Sequence, residues 1–309
     1  MRKFTRITAV FFLLITLANT VFAGEVTPTP VPWQIPMEDG YPAVIDRFTD
    51  PKAYPEFSFE EDAEILHLWL ANTRDSDSIL LQYGDENWMI DCCDERWAPR
   101  VMTMLEFLQV KRIDKLINSH PHHDHLAGLH RIDDVAEFAE LAIGFPEDIN
   151  EHMIKAMTSC GLRDIRVTHF EDGSRLILGD DVFLDIWMKC DETYEMNDRS
   201  AVIRLLYGDR TALFTGDIET AGQKKLLESV DRELLKADIL KYPHHGKQRT
   251  LEDFYTAVNP SFVLVTNNAI TGDAPYYLGC KHVPVAYSIS AYVHLMTDGK
   301  HWVAERVRP

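Results

Sequence analysis

No pair of cysteines in this 309-residue chain is spaced C-x-x-C. The five present, Cys92, Cys93, Cys160, Cys190 and Cys280, are odd in number and show no framework of spacings. Both facts argue against a thiolate zinc site and against a disulfide scaffold. Cys92 and Cys93 are adjacent and poorly placed to bond each other, so the set reads mainly as small buried residues, with one pairing among them left open. Basic residues are scarce too: 31 Lys and Arg face 49 Asp and Glu, a net charge of −18. Such a field repels polyanions and argues against tight, sequence-independent nucleic-acid binding, which needs many phosphate contacts. A single phosphodiester held by metal ions stays compatible with it. Long repeats and low-complexity tracts are absent, and nothing specifies an oligomeric state.

Long apolar runs are missing except at the start. Arg2, Lys3 and Arg6 precede an apolar stretch over roughly 7–17 that closes on "VFA", the pattern of a secretory signal peptide cleaved after Ala23. The alternative is an uncleaved anchor, but the run is shorter than the ~20 residues that span a bilayer. No cysteine follows it, which argues against a lipoprotein. Removal of those three basic residues takes the mature chain to −21. The expectation is an exported protein with no transmembrane segment in the mature chain. Three regions follow: a signal peptide at 1–23, a Pro-rich leader at 24–58 that links or wraps rather than packing as regular elements, and one domain at 59–309.

What is abundant is local. "NSHPHHDHLAGLH" packs five of the chain's 13 histidines and an aspartate into thirteen residues. The stretch follows a short apolar strand, "KLINS", and Pro121 favours an extended turn. His120 and His122 then share a side and can grip one cation, while Asp124 and His125 can serve a second. Neutral imidazole and carboxylate suit Zn²⁺ best, with Mn²⁺ or Fe²⁺ acceptable, and two ions are expected. His123 lies between these and points away; His130 reads as a surface or supporting residue.

Around this stretch the pattern is strands, a helix, a strand and helices, then the same order again. Strands are expected at "AEILHLWL", "DSILLQY" and "NWMID", and hairpins turn at Gly179-Asp180 and Gly208-Asp209. Helices are expected over 98–110, from Leu129 to Leu141, from Ile149 to Cys160, and over 219–237 with Leu226, Val230 and Leu234 facing inward. Late strands read at "DILKY", "FVLVTNN" and "WVAERV". Two sheets with helices on their outer faces satisfy this order. "HPHHDH", "TGD" and "YPHHG" each fall just after a strand, so they can meet at one edge. "FTGDIE" offers Asp217, "LKYPHHGK" offers His244 or His245, and "DCCD" offers Asp91, either hydrogen-bonded to a ligand histidine or capping a turn.

These motifs resemble the metallo-β-lactamase superfamily, and most closely the hydrolase domain of competence (DNA-uptake) channel proteins. There the run is "DVGQGDA", "IDGG", "THPHADHIGG", "NNxSLVL", "TGD", "HHGS"; here it is "LANTRDSDSILL", "IDCCD", "SHPHHDHLAG", "NDRSAVIRL", "TGDIE", "YPHHGKQRT", in that order. The resemblance implies an α/β fold, an αββα sandwich of two mixed sheets flanked by helices. It implies His120 and His122 on the first metal, Asp124 and His125 on the second, Asp217 as bridge, and His244 as the terminal histidine with His245 in reserve. Asp124 and Asp217 would be catalytic. Asn197, Asp198 and Ser200 stand where many members place a third histidine, the "GQGD" turn has lost its glycines, and Lys247 replaces a serine. Lys247 either binds an anionic substrate group or is a solvated lysine. The channel that accompanies this domain in competence proteins is missing here, so DNA import is not implied.

The expected chemistry is metal-dependent hydrolysis. Two cations sharing a water lower its pKa from about 15.7 toward ~7, and the resulting hydroxide attacks in line. Asp124 orients it, and His245, Lys247 or Ser200 meets the substrate. A phosphodiester is the favoured electrophile. The rivals are a lactam or lactone (acyl) hydrolase and a non-catalytic exported metal- or ligand-binding module.

Overall fold

The computed structural model describes residues 59–267, 274–288 and 291–308, and the backbone of four short strands, Thr29–Pro30, Trp33–Pro36, Pro42–Ile45 and Arg47–Thr49. The expected signal peptide lies outside them. Two large mixed sheets carry the fold. The first runs Thr29–Pro30, Trp302–Arg308, Tyr292–Thr297, Leu66–Leu70, Ile79–Tyr83, Glu86–Ile90, Lys115–Ile117, Glu140–Ile143 and Arg166–His169, with Arg47–Thr49 also on Trp302–Arg308. The second runs Arg175–Leu178, Val182–Trp187, Val202–Tyr207, Arg210–Phe214, Ile239–Lys241, Phe262–Val265, Val285–Tyr287, Trp33–Pro36 and Pro42–Ile45. The leader was expected not to form regular elements. Instead, its strands pair at the edges of both sheets, where open backbone donors and acceptors invite a partner.

Alternation along the strands builds the layers. Leu66, Leu68 and Leu70 face the second sheet and meet Leu184, Ile203, Leu205, Phe214 and Leu264 in an apolar layer between the sheets. Trp69, Leu80 and Met89 point the other way, beneath helices Ala98–Phe107 and Glu151–Arg163. Leu213, Leu240 and Val263 pack on the outer face of the second sheet against helices Thr220–Ser229 and Glu252–Val258. Fully burying each such side chain stabilises the fold by about 1.5–3 kcal/mol, so the inter-sheet layer fixes the sandwich before any polar group is counted.

Two local expectations are corrected. The helix from Leu129 to Leu141 stops at Ile132; Glu137–Phe138 and Glu140–Ile143 are strands, the latter parallel to Lys115–Ile117. A short apolar run fits either period, and pairing within a buried sheet decides it. The 219–237 helix divides into Thr220–Ser229 and Arg232–Leu235 because Val230 is extended and the Asp231 carboxylate caps the second piece at Glu233 N. That break turns Leu235 inward and leaves Leu234 45% exposed. The helices Glu252–Val258 and Ala274–Gly279 and the strands Val285–Tyr287 and Tyr292–Thr297 were not anticipated.

The parallel strands position the site. Glu86–Ile90, Lys115–Ile117, Arg210–Phe214, Ile239–Lys241 and Phe262–Val265 all lie in parallel pairs. Asp91, His120, Asp217, His245 and Thr266 all follow the carboxyl ends of these strands, the edge where open α/β sheets gather their ligands. Ala201 N donates to Ser119 O at 2.8 Å and joins the two sheets there. Among the described residues no helix is long and apolar enough to cross a membrane.

Candidate metal centre

His122 stands in extended backbone just before a short helix, His123–Leu126, and Asp124 and His125 sit on that helix rather than on an extended turn. That helix is held tight: Gly128 just beyond it lies so close that a Cβ would stand 2.1 Å from Cys92 O. His120 and His125 are fully buried, and Asp124 nearly so. His120 Nε2 lies 3.0 Å from His122 Nδ1, and the His120 and His125 rings are 4.2 Å apart.

Asp217 is the meeting point. Its Oδ2 is 3.3 Å from His125 Nε2, 3.2 Å from His245 Nε2 and 3.7 Å from His244 Nε2. His245 Nε2 is also 3.5 Å from Asp124 Oδ2. Asp124, His125, Asp217 and His245 each offer a ligand atom, all within 4.8 Å of one another. The turn that delivers Asp217 needs Gly216, whose φ is +50° and whose position leaves a Cβ only 2.8 Å from Ser200 Cβ. Ser200 in turn accepts from Asp217 N through its hydroxyl at 3.2 Å.

The doublet resolves by backbone. His244 and His245 both adopt left-handed conformations, φ 48° and 53°, which are strained for non-glycine residues. The result drives His245 fully inside and leaves His244 at the rim, its Nδ1 2.9 Å from Glu219 Oε1 and its Nε2 3.4 Å from the exposed Lys247 Nζ. His245, not His244, thus joins the ligand cluster.

Behind the cluster stand groups that orient it. Asp91 accepts from His125 Nδ1, Ser119 Oγ and Ser119 N, each at 2.7 Å, and from Asn118 Nδ2 at 3.0 Å. That contact to His125 matches one of the two readings of Asp91. Asp77 Oδ1 lies 3.3 Å from His245 Nδ1, which also meets Thr266 Oγ1 at 3.0 Å. Lys241, 1% exposed, ion-pairs with Asp77, lies 3.6 Å from Asp217 Oδ1 and donates to Gly216 O at 2.9 Å. Asp77, Lys241, Ser119, Thr266 and Glu219 were missed from sequence. Asp77 sits in the polar "TRDSDS" turn, where nothing singles it out, whereas Lys241 ends the otherwise apolar strand Ile239–Lys241, a signal for the lysine alone.

Other candidates fall outside the cluster. The Asp198 carboxylate accepts from Glu219 N and Gly222 N at the start of helix Thr220–Ser229. Asn197 Nδ2 donates to Glu219 Oε1 at 3.1 Å. His123 and His130 turn away and, with His152, line a hollow beside Asp94 and Glu95. All five cysteines are unpaired, four of them buried.

The electrostatics fit a cation. Burial alone would push the His125 and His245 imidazoles down, yet Asp217 and the carboxylates Asp91 and Asp77 hold them up, His245 to about 10. Burial would raise Asp217, but the imidazolium charges of His245 and His125 hold it well below the usual carboxylate range. Both imidazoles aim a buried Nε2 with no hydrogen-bond partner toward that carboxylate. Nitrogen and oxygen donors so placed, with protons standing where a dication would sit, suit divalent metal binding.

Residues 71–258, more than half of the chain, match the sequence model of the metallo-beta-lactamase superfamily. The chain belongs to that superfamily. Solved structures similar to it include the metallo-beta-lactamase fold protein YhfI from Bacillus subtilis, at 13% identity over 72% of this chain and 96% of that one, TM-score 0.48. A HARLDQ-motif mutant metallo-beta-lactamase from Cronobacter sakazakii matches at 19% over 56% of this chain and 75% of that one, TM-score 0.41. A diphosphatase of the PhnP family matches at 12% over 72% and 94%, TM-score 0.42. Comparison with curated proteins gives no match.

Proposed function

We propose that this protein is an exported metal-dependent hydrolase that cleaves phosphodiester bonds. The observation that carries the reading is the convergence of Asp124, His125, Asp217 and His245 beside the His120–His122 pair at one edge of the sandwich. His120 and His122 would hold one ion and Asp124, His125 and His245 a second, with Asp217 between them; zinc suits the donor set. Bound there, divalent ions make water a competent nucleophile near neutral pH and polarise the electrophile. The chain's own part is positioning. Asp91 keeps the His125 proton on Nδ1, and Asp77 with Thr266 does the same for His245, so both Nε2 lone pairs face inward. The inter-sheet core holds the donors rigid. His244 and Lys247 stand at the rim, where an anionic group would enter.

Export is supported by the basic, apolar and small-residue succession of residues 1–23, and phosphodiester chemistry by the resemblance to the competence-protein hydrolase domain. The test is elemental analysis of the purified chain alongside assays with bis(4-nitrophenyl) phosphate, a chromogenic lactam and a lactone. About two metal equivalents and metal-dependent phosphodiester cleavage are expected, and His122→Ala should lose about one equivalent together with the cleavage. Cleavage of the lactam or lactone alone, or a fully active His122→Ala, refutes the proposal.

A further inference from the structure

Lys241 closes a ring of charges that the proposed hydrolysis does not by itself call for. Its ammonium pairs with Asp77; Asp77 Oδ1 faces His245 Nδ1 at 3.3 Å; His245 Nε2 faces Asp217 Oδ2 at 3.2 Å; and Asp217 Oδ1 lies 3.6 Å from the same ammonium. His125, His244 and His245 all approach Asp217 through Oδ2, whereas Lys241 stands on the side of Oδ1. A lysine this buried, on the three-residue strand Ile239–Lys241, costs a large desolvation energy unless its partners are fixed. Its third contact, to Gly216 O at 2.9 Å, ties it to the very turn that carries Asp217.

We infer that Lys241 is a positioning residue that restrains Asp217 to present one oxygen, Oδ2, to the metal pocket and, through Asp77, locks His245 with Nε2 inward. It also stabilises the metal-free chain as a resident counter-charge beside the His125 and His245 imidazoles. The inference rests on the proposed metal centre but not on the substrate.

The experiment uses the full chain loaded with cobalt(II), whose visible absorption reports coordination. Lys241→Met is expected to shift the cobalt bands, because Asp217 can then offer both oxygens. It is also expected to lower the melting temperature of the metal-free protein by about 10 °C, and that of the loaded protein by less than half as much. Loss of a merely structural lysine would lower both equally, and equal shifts with an unchanged spectrum overturn the inference. Lys247→Ala, at the exposed rim, should leave the spectrum as it is. If Lys241→Met does not fold, Asp77→Asn decides: it keeps Lys241 against Asp217 but breaks the link to His245. Cobalt affinity should then weaken about tenfold; unchanged affinity overturns the inference. A wild-type chain that takes up no cobalt refutes the metal centre itself. A loaded chain that shows these shifts but cleaves no phosphodiester refutes only the substrate reading.

Discussion

Replacing Asp91 by asparagine tests how the ligands are held rather than which they are. The change is nearly isosteric, and asparagine tolerates the left-handed backbone at this position, φ 56°. Asp91 Oδ1 receives Ser119 N and Asn118 Nδ2, so the amide oxygen of the substituted side chain would keep that side. Its NH₂ would then face His125 Nδ1 and Ser119 Oγ, where Oδ2 now accepts from both. Two donors would meet, and the His125 proton would move to Nε2, the nitrogen 3.3 Å from Asp217 Oδ2 that a metal needs. Two estimates of the cost agree. A hydrogen bond to a charged group contributes about 1.5–3 kcal/mol, and loss of a carboxylate behind a ligand histidine typically costs 10–100-fold in metal affinity, or about 1.4–2.8 kcal/mol. Competition titration against a zinc chelator measures it directly. A folded Asp91→Asn chain whose metal affinity changes by less than about threefold would refute the argument that Asp91 sets the His125 tautomer.

Two further predictions follow from the same geometry. His245→Ala should lose about one metal equivalent by elemental analysis, whereas His244→Ala should retain the full complement; the reverse result would return His244 to the ligand set. In metal-free protein the His245 pKa is raised to about 10 from 6.5. Its contribution is therefore fully present below pH 6.5 and lost as pH rises through about 10. Metal-free melting temperatures should fall across that window, while metal-loaded protein, in which a cation replaces the proton, should change less; a metal-free midpoint that climbs over the same window would contradict the assignment.

The parts of the site that are local in sequence could be read directly. His120, His122, Asp124 and His125 lie within six residues, and Asp217 follows a strand in a turn whose glycine announces it. Asp77 and Lys241 could not be read the same way, because each acquires its meaning from the other sheet. Asp77 precedes a strand of the first sheet and Lys241 ends a strand of the second, 164 positions apart in numbering, and only closure of the sandwich brings the carboxylate to the ammonium. The doublet was ambiguous for a different reason. Which histidine enters depends on two successive left-handed residues, and neither His244 nor His245 is a type that signals that conformation as Gly246 does. Secondary structure failed where burial outranked period. Leu141 and Ala142 sit on a strand between two parallel neighbours, and their apolar run fits a helix equally well until those neighbours are in place.

On the proposed reading, the charge balance of the centre bears on both its metal count and its substrate. Asp77, Asp91, Asp124 and Asp217 are buried carboxylates, and Lys241 is the buried ammonium among them. With the histidines neutral, as metal ligands must be, four negative charges face one positive, a deficit of three. One dication would leave the pocket negative. Two unit charges about 4 Å apart interact by about 4 kcal/mol at an effective dielectric constant near 20, so an approaching phosphodiester would meet a repulsion comparable to a thousandfold loss in affinity. In the proposed two-ion site, two dications leave one positive charge, and the attacking hydroxide brings the pocket to neutral. Without Lys241 the same pocket would be negative by one. On the proposed reading the ammonium therefore keeps the loaded site from repelling an anionic electrophile, and a Lys241→Met chain that loads two ions should lose phosphodiester binding more than it loses binding of a neutral ester.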